Sequence, residues 1–282
     1  PTHASVRYGP HERNLLDVWL PDSPSPVPAL IYFHGGGFRR GHRELTAVQR
    51  RMLRSPDPVA AISATSRSVP ASPLPEPLHD AARVVQFVRA QASDWNIDAR
   101  RIAVTGSSAG GTMALWVGLH DDLARHEAAD PVSRESSRVS CVVARYAPVT
   151  FQPEVLLRRI GGPPSAYADL PTLFGGHRLS DLYRPALREV VRQSSPLLHV
   201  SYGDPPGLLV TGAPPPEGRH TGKATAGAVA HSALHALLLC EAAIPLHVPC
   251  RVFHEDITSP NDSRQAEILF LRRHLAQPVT VE

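Results

Sequence analysis

The residues Gly106-Ser107-Ser108-Ala109-Gly110 place a serine between two glycines in the pattern G-x-S-x-G. A strand that must reverse into a helix within a few residues needs that spacing, because glycine permits the tight turn and the close approach of neighbouring backbone. Such a turn would lift the Ser108 hydroxyl above the sheet edge as a nucleophile for acyl transfer. Ala109 would open the helix with its N–H aimed at the same point and the positive end of the helix dipole behind it. The pattern alone is weak, arising by chance in about one chain in ten. Its setting strengthens it: the β-branched run Ile102, Val104, Thr105 precedes it and a helical pattern follows.

A second group, His34-Gly35-Gly36-Gly37-Phe38, follows the apolar run PALIYFH. Three successive glycines leave a loop without side chains, so a substrate carbonyl could approach backbone N–H donors. Two such donors, with the N–H of Ala109, are therefore expected to form an oxyanion hole for the tetrahedral species made when Ser108 attacks an acyl carbon.

These two loops need a sheet to hold them. Apolar strand-like runs alternate with helical patterns, the signature of an α/β fold with a mostly parallel central sheet and helices on both faces. Strands are expected at Val6–Tyr8, Leu15–Leu20, Pro28–His34, Val59–Ala64, Arg101–Thr105, Val139–Val143, Gly207–Val210 and His247–Phe253. Helices are expected at Glu44–Arg54, Leu78–Ala92, Ser108–His120, His231–Ala243 and Asn261–Ala276. Ser68–Pro77 carries four prolines and reads as irregular. Between Val149 and Asp204 the pattern loosens into short helical pieces and Gly/Pro turns, too long for a plain connection. It is read as a helical lid inserted into a single domain spanning 1–282.

The chain has 282 residues, 42% hydrophobic and 20% charged, enough for one large domain with a buried core. Its net charge of +3 is spread along the whole length, which argues against nucleic acid as a partner. Cys141, Cys240 and Cys250 are far apart and odd in number, so buried free thiols are expected. No stretch reads as the roughly 18 apolar residues of a membrane span. The first residue is Pro1, not Met, so the start is read as trimmed; secretion and localisation stay open.

LLDVWLPDS, IYFHGGGFRRGHR, PLHDAARVVQFVR and WNIDARRIAVTGSSAGG together resemble the carboxylesterases of the hormone-sensitive-lipase and feruloyl-esterase-like branches of the α/β-hydrolases. The likeness is dense over 14–144, returns at 195–212 and thins in the lid and after Gly212. It implies an α/β-hydrolase fold, a Ser–acid–His triad with Ser108 as nucleophile, Gly36, Gly37 and Ala109 as the oxyanion donors, no cofactor or metal, and a small-molecule ester substrate. In that order of partners His254, just past the last strand in RVFHED, is the expected base. His220, His231, His235, His247 and His274 also lie downstream of the lid. His231 and His235 are four apart on an expected helix without the Glu of H-E-x-x-H, which speaks against zinc.

The acid departs from the family pattern, since the expected position falls on Pro215. Glu217, two residues on, is the preferred substitute, with Asp256 second and Glu255 also beside His254. The resulting expectation is a serine carboxylic ester hydrolase acting on small to medium esters. A degenerate hydrolase that binds a ligand without turnover is the alternative from another class, and a peptidase or amidase on the same fold ranks below the esterase. Oligomeric state is left open.

Overall fold

The computed structural model describes residues 1–212, 214–215, 218–255 and 260–276. Eight strands form one sheet in the order β1-β2-β4-β3-β5-β6-β7-β8: β1 His3–Arg7, β2 Leu15–Trp19, β3 Val27–Phe33, β4 Ala60–Ala64, β5 Ile97–Ser107, β6 Val142–Arg145, β7 Gly207–Thr211 and β8 Cys250–His254. β2 runs antiparallel to β1 and β4, and β3 to β8 pair in parallel. This is the mostly parallel α/β-hydrolase architecture expected from the sequence.

The period of two along each strand explains how one sheet feeds two cores. On β3, Ala29, Ile31 and Phe33 face a core shared with α2 (Glu76–Ala90) and α3 (Ala109–Leu119). Leu30 between them faces the other, with α1 (Ala47–Leu53) and α8 (Pro260–Leu275). The alternation repeats on β5 with Ala103 between Ile102 and Val104, and on β6 with Val143 between Val142 and Ala144. Burial on both sides is why these segments read as continuous apolar runs. α3 is buried along its whole length, so the helix that follows Ser108 lies inside the fold.

The segment 149–204 is a string of short turns: α4 (Pro153–Val155), a π-turn at Leu156–Ile160, three 3-10 turns between Pro164 and Tyr183, and α5 (Pro185–Gln193). It is anchored at its far end by Trp116 on α3, whose indole N–H donates to the Gln193 carbonyl at 2.7 Å.

Two expectations need correction. Cys240 and Cys250 form a disulfide, with only Cys141 free and buried. Ten residues apart, they are brought together where helix α7 (Ala233–Ala243) returns to β8, which spacing alone does not reveal. The expected helix His231–Ala243 is present as α7, starting two residues later, and a separate short helix, α6 (Ala226–Ala230), precedes it with a break at His231–Ser232. Ser232 causes the break by capping α7, its hydroxyl accepting from Leu234 N–H. The run Ala226–Leu246 is long and apolar enough for a membrane span by length and composition, contrary to the sequence reading. Here that run is interrupted by the break and contributes Val229, Ala236, Leu238 and Leu239 to the interior.

Candidate active site

Ser108 sits at the junction of β5 and α3 with φ 53° and ψ −121°, a left-handed conformation that a non-glycine residue adopts only under constraint. The constraint is visible around it. A Cβ on Gly106 would lie 2.2 Å from the Gly110 carbonyl oxygen, and one on Gly110 would lie 2.0 Å from that of Phe33. The two flanking glycines are therefore space requirements of the crossing between α3, β5 and β3. The Ser108 N–H donates to the Arg145 carbonyl at 2.8 Å, tying the turn to β6.

The His34–Phe38 loop leaves β3 beside this turn. Gly36 has φ 108° and Gly37 φ 63°, and the Gly36 carbonyl accepts from the N–H groups of Arg39 and Arg40. A Cβ on Gly36 would meet the Arg40 carbonyl oxygen at 2.0 Å, whereas Gly37 faces open space. Gly37, Ser108 and Ala109 line one cavity of about 220 Å³. The rest of its wall is mostly apolar, with Phe151, Leu156, Tyr167, Leu170 and Leu173 from the 149–204 segment, and also takes in Arg39, Thr150, Asp169 and His235.

The histidine against Ser108 is His231: its Nε2 lies 2.9 Å from Ser108 Oγ. It stands at the break between α6 and α7, at the C-terminal end of the sheet. Burial holds its pKa below the ordinary histidine value, so the ring is neutral near pH 7. The edge of Tyr146 packs on it with ring centroids 6.3 Å apart. On that side Ser107, Ser108, Tyr146, Gly212 and His231 line a second, more open cavity.

His254, the base expected from the sequence, is elsewhere. It ends β8 with Nδ1 2.7 Å from Thr211 Oγ1, in register with Thr211 on β7. Its strand ends alongside β7, and it is His231, at the α6–α7 corner, that reaches Ser108. Glu217 and Asp256, the first and second choices for the acid, lie outside the described residues. Glu255 points instead into an ion-pair cluster with Arg145 (2.5 Å), Tyr146 and Ser263. Burial would raise its carboxyl, but hydrogen bonds from Ser263, Tyr146 and Arg145 hold it below the usual carboxylate range. Burial, with Glu255 beside it, pushes the Tyr146 phenol up to about 12.

His231 is among the downstream histidines, at the start of the helix expected over His231–Ala243, with His254 preferred as the base. The legible signal was Ser232, a good N-cap residue just ahead of an apolar helical run, which puts His231 outside that helix. His235, on the first turn of α7, is fully buried; burial drops its pKa to about 4. Among the described residues no group of three or more His, Cys, Asp or Glu is arranged to hold a metal ion.

The sequence profile of the BD-FAE family matches residues 16–216. Esterase LipC of Mycobacterium tuberculosis is 27% identical over 209 residues, covering 73% of this chain and 49% of LipC. The chain thus spans about half the length of that relative, and 32% of Esterase LipI from the same organism, where the match is 34% identical over 101 residues. Among solved structures, an acetyl ester-xyloside bifunctional hydrolase from Caldicellulosiruptor lactoaceticus superposes with a TM-score of 0.70 at 25% identity, covering 92% of this chain and 87% of that one. A truncated carbohydrate esterase from gut microbiota gives 0.73 at 18% identity, covering 98% and 96%, a likeness of fold.

Proposed function

The chain belongs to the BD-FAE family, and we propose that it is a serine carboxylic ester hydrolase that works through an acyl-enzyme, with Ser108 as nucleophile and His231 as base. The observation that carries this reading is the 2.9 Å contact between Ser108 Oγ and His231 Nε2 on a strained strand–helix turn. A neutral imidazole at that distance can take the hydroxyl proton as Oγ bonds to the ester carbonyl carbon. The developing oxyanion would be received by the backbone N–H groups of Gly37 and Ala109, with Gly36 shaping the loop. Collapse breaks the bond to the alcohol oxygen, which takes the proton from His231. Water then repeats the sequence on the acyl-enzyme and frees Ser108.

The cavity supports a small to medium ester. Its volume is about 220 Å³, that of a modest pocket and not of a long lipid channel. Its apolar wall suits an acyl chain. The alcohol oxygen must stay within reach of His231, which directs the leaving group toward the open side beside Tyr146 and Gly212.

Hydrolysis of p-nitrophenyl acetate and butyrate by the wild type and by Ser108→Ala tests the proposal. Turnover in the wild type is expected to vanish in the variant. Equal background rates for both across chain lengths would mean a hydrolase fold that binds without turnover.

A further inference from the structure

The base reaches Ser108 from a corner between two short helices, so something must fix that corner. Two ties do so. His235, one turn into α7, accepts from the Val149 N–H at 3.4 Å through Nδ1, and its Nε2 lies 3.1 Å from the Val229 carbonyl on α6. The other runs through His220, which the catalytic reading leaves without a role. Its Nε2 lies 2.9 Å from Ser232 Oγ, the residue directly after His231.

His220 is itself fastened to the lid by its backbone. Its N–H donates to the Ile160 carbonyl at 2.9 Å, and its carbonyl accepts from Gly162 N–H at 2.8 Å. A Cβ on Gly161, between these two partners, would lie 2.4 Å from the His220 oxygen, so the strands of this clasp are in direct backbone contact. Arg219, the preceding residue, caps the π-turn by donating to the carbonyls of Leu157 and Arg158. From the lid side, Leu156, Ile160 and Tyr167 pack with Val229 of α6 in one small apolar cluster. Leu156, Tyr167 and Val229 also line the cavity over Ser108.

We propose that His220 is a positioning residue for the His231 base, a link that carries the conformation of the lid to the catalytic corner through Ser232. The lid segment that would touch the acyl chain is thereby joined through two hydrogen-bonded steps to the group that moves the proton. A substrate that seats Leu156 and Tyr167 also seats Ser232, and with it the imidazole. This rests on the Ser108–His231 reading and adds a coupling that the reading does not require.

The test is a double-mutant cycle on p-nitrophenyl butyrate, read as kcat per folded protein well below Tm. In the wild-type background His220→Ala is expected to lower kcat between about tenfold and a hundredfold, the size of effect for a displacement near 1 Å. In the His231→Ala background the same change is expected to do nothing further, because no base remains to be placed. His220→Gln, which keeps a polar nitrogen at similar reach, is expected to recover most of kcat. An effect under twofold, or an equal effect in both backgrounds, overturns the positioning role and leaves His220 a structural clasp. If wild type and Ser108→Ala do not differ, the esterase reading falls first and the positioning role falls with it. Wild-type turnover with an additive cycle sinks only the latter.

Discussion

At the scale of the residue, the site turns on which histidine meets Ser108. His231 does so at 2.9 Å, while His254 is engaged by Thr211. Replacing His231 by Ala is therefore expected to lower the Ser108-dependent kcat by about a thousandfold or more. His254→Ala should stay within a few-fold of wild type, and the reverse ranking would return the base to the end of β8. The pH dependence follows from burial of the same ring. His231 must be neutral to accept the proton, and its pKa lies below the ordinary value of about 6.5. The rate should hold as pH falls past that value and drop only at lower pH, through the depressed pKa. An acid limb in kcat/KM centred above 6.5 would contradict the assignment.

At the scale of the element, the 149–204 segment walls the cavity beside Ser108, the proposed substrate site, with residues that no strand or long helix supplies. Leu170 and Leu173 come from one 3-10 turn and Tyr167 from another. Enlarging Leu170 to Trp would fill space meant for the distal acyl carbons without touching Ser108. The ratio of kcat/KM for hexanoate over acetate should then fall by about tenfold or more, with acetate turnover preserved. Loss of both substrates together would mean that the turn holds the catalytic corner, and an unchanged ratio would take the acyl chain out of this cavity.

At the scale of the whole molecule, the segment that carries His231 is secured at its far end by the Cys240–Cys250 disulfide between α7 and β8. By the loop-entropy argument, closing so short a segment contributes up to about 3 kcal/mol. Cys250→Ser should accordingly lower Tm by several degrees, with a thiol reductant lowering the wild type by a similar amount. Identical melting with and without reductant would show that this bond adds no stability. At the other end of these parallel strands, Arg145 joins Glu255 and Glu267 and so links the end of β6 to α8. Burial raises the Glu267 carboxyl while Arg145 beside it opposes the shift, so the pair gives a fixed geometry more than a large stabilisation.

The sequence by itself determined what depends on neighbours along the chain. The turn at Ser108 was legible because Gly106 and Gly110 are needed within the same few residues, and β3, β5 and β6 because burial on both faces makes their runs apolar. The glycine loop after β3 was readable for the same reason. Tertiary structure alone decided the partner of Ser108, since several downstream histidines were available and only the packing of α6 and α7 against the 149–204 segment brings His231 to it. It likewise decided that Cys240 and Cys250 meet and that Glu255 is taken up by Arg145. Local hydrogen bonding and side-chain period are written in short windows; the meeting of residues 123 positions apart depends on how intervening elements stack.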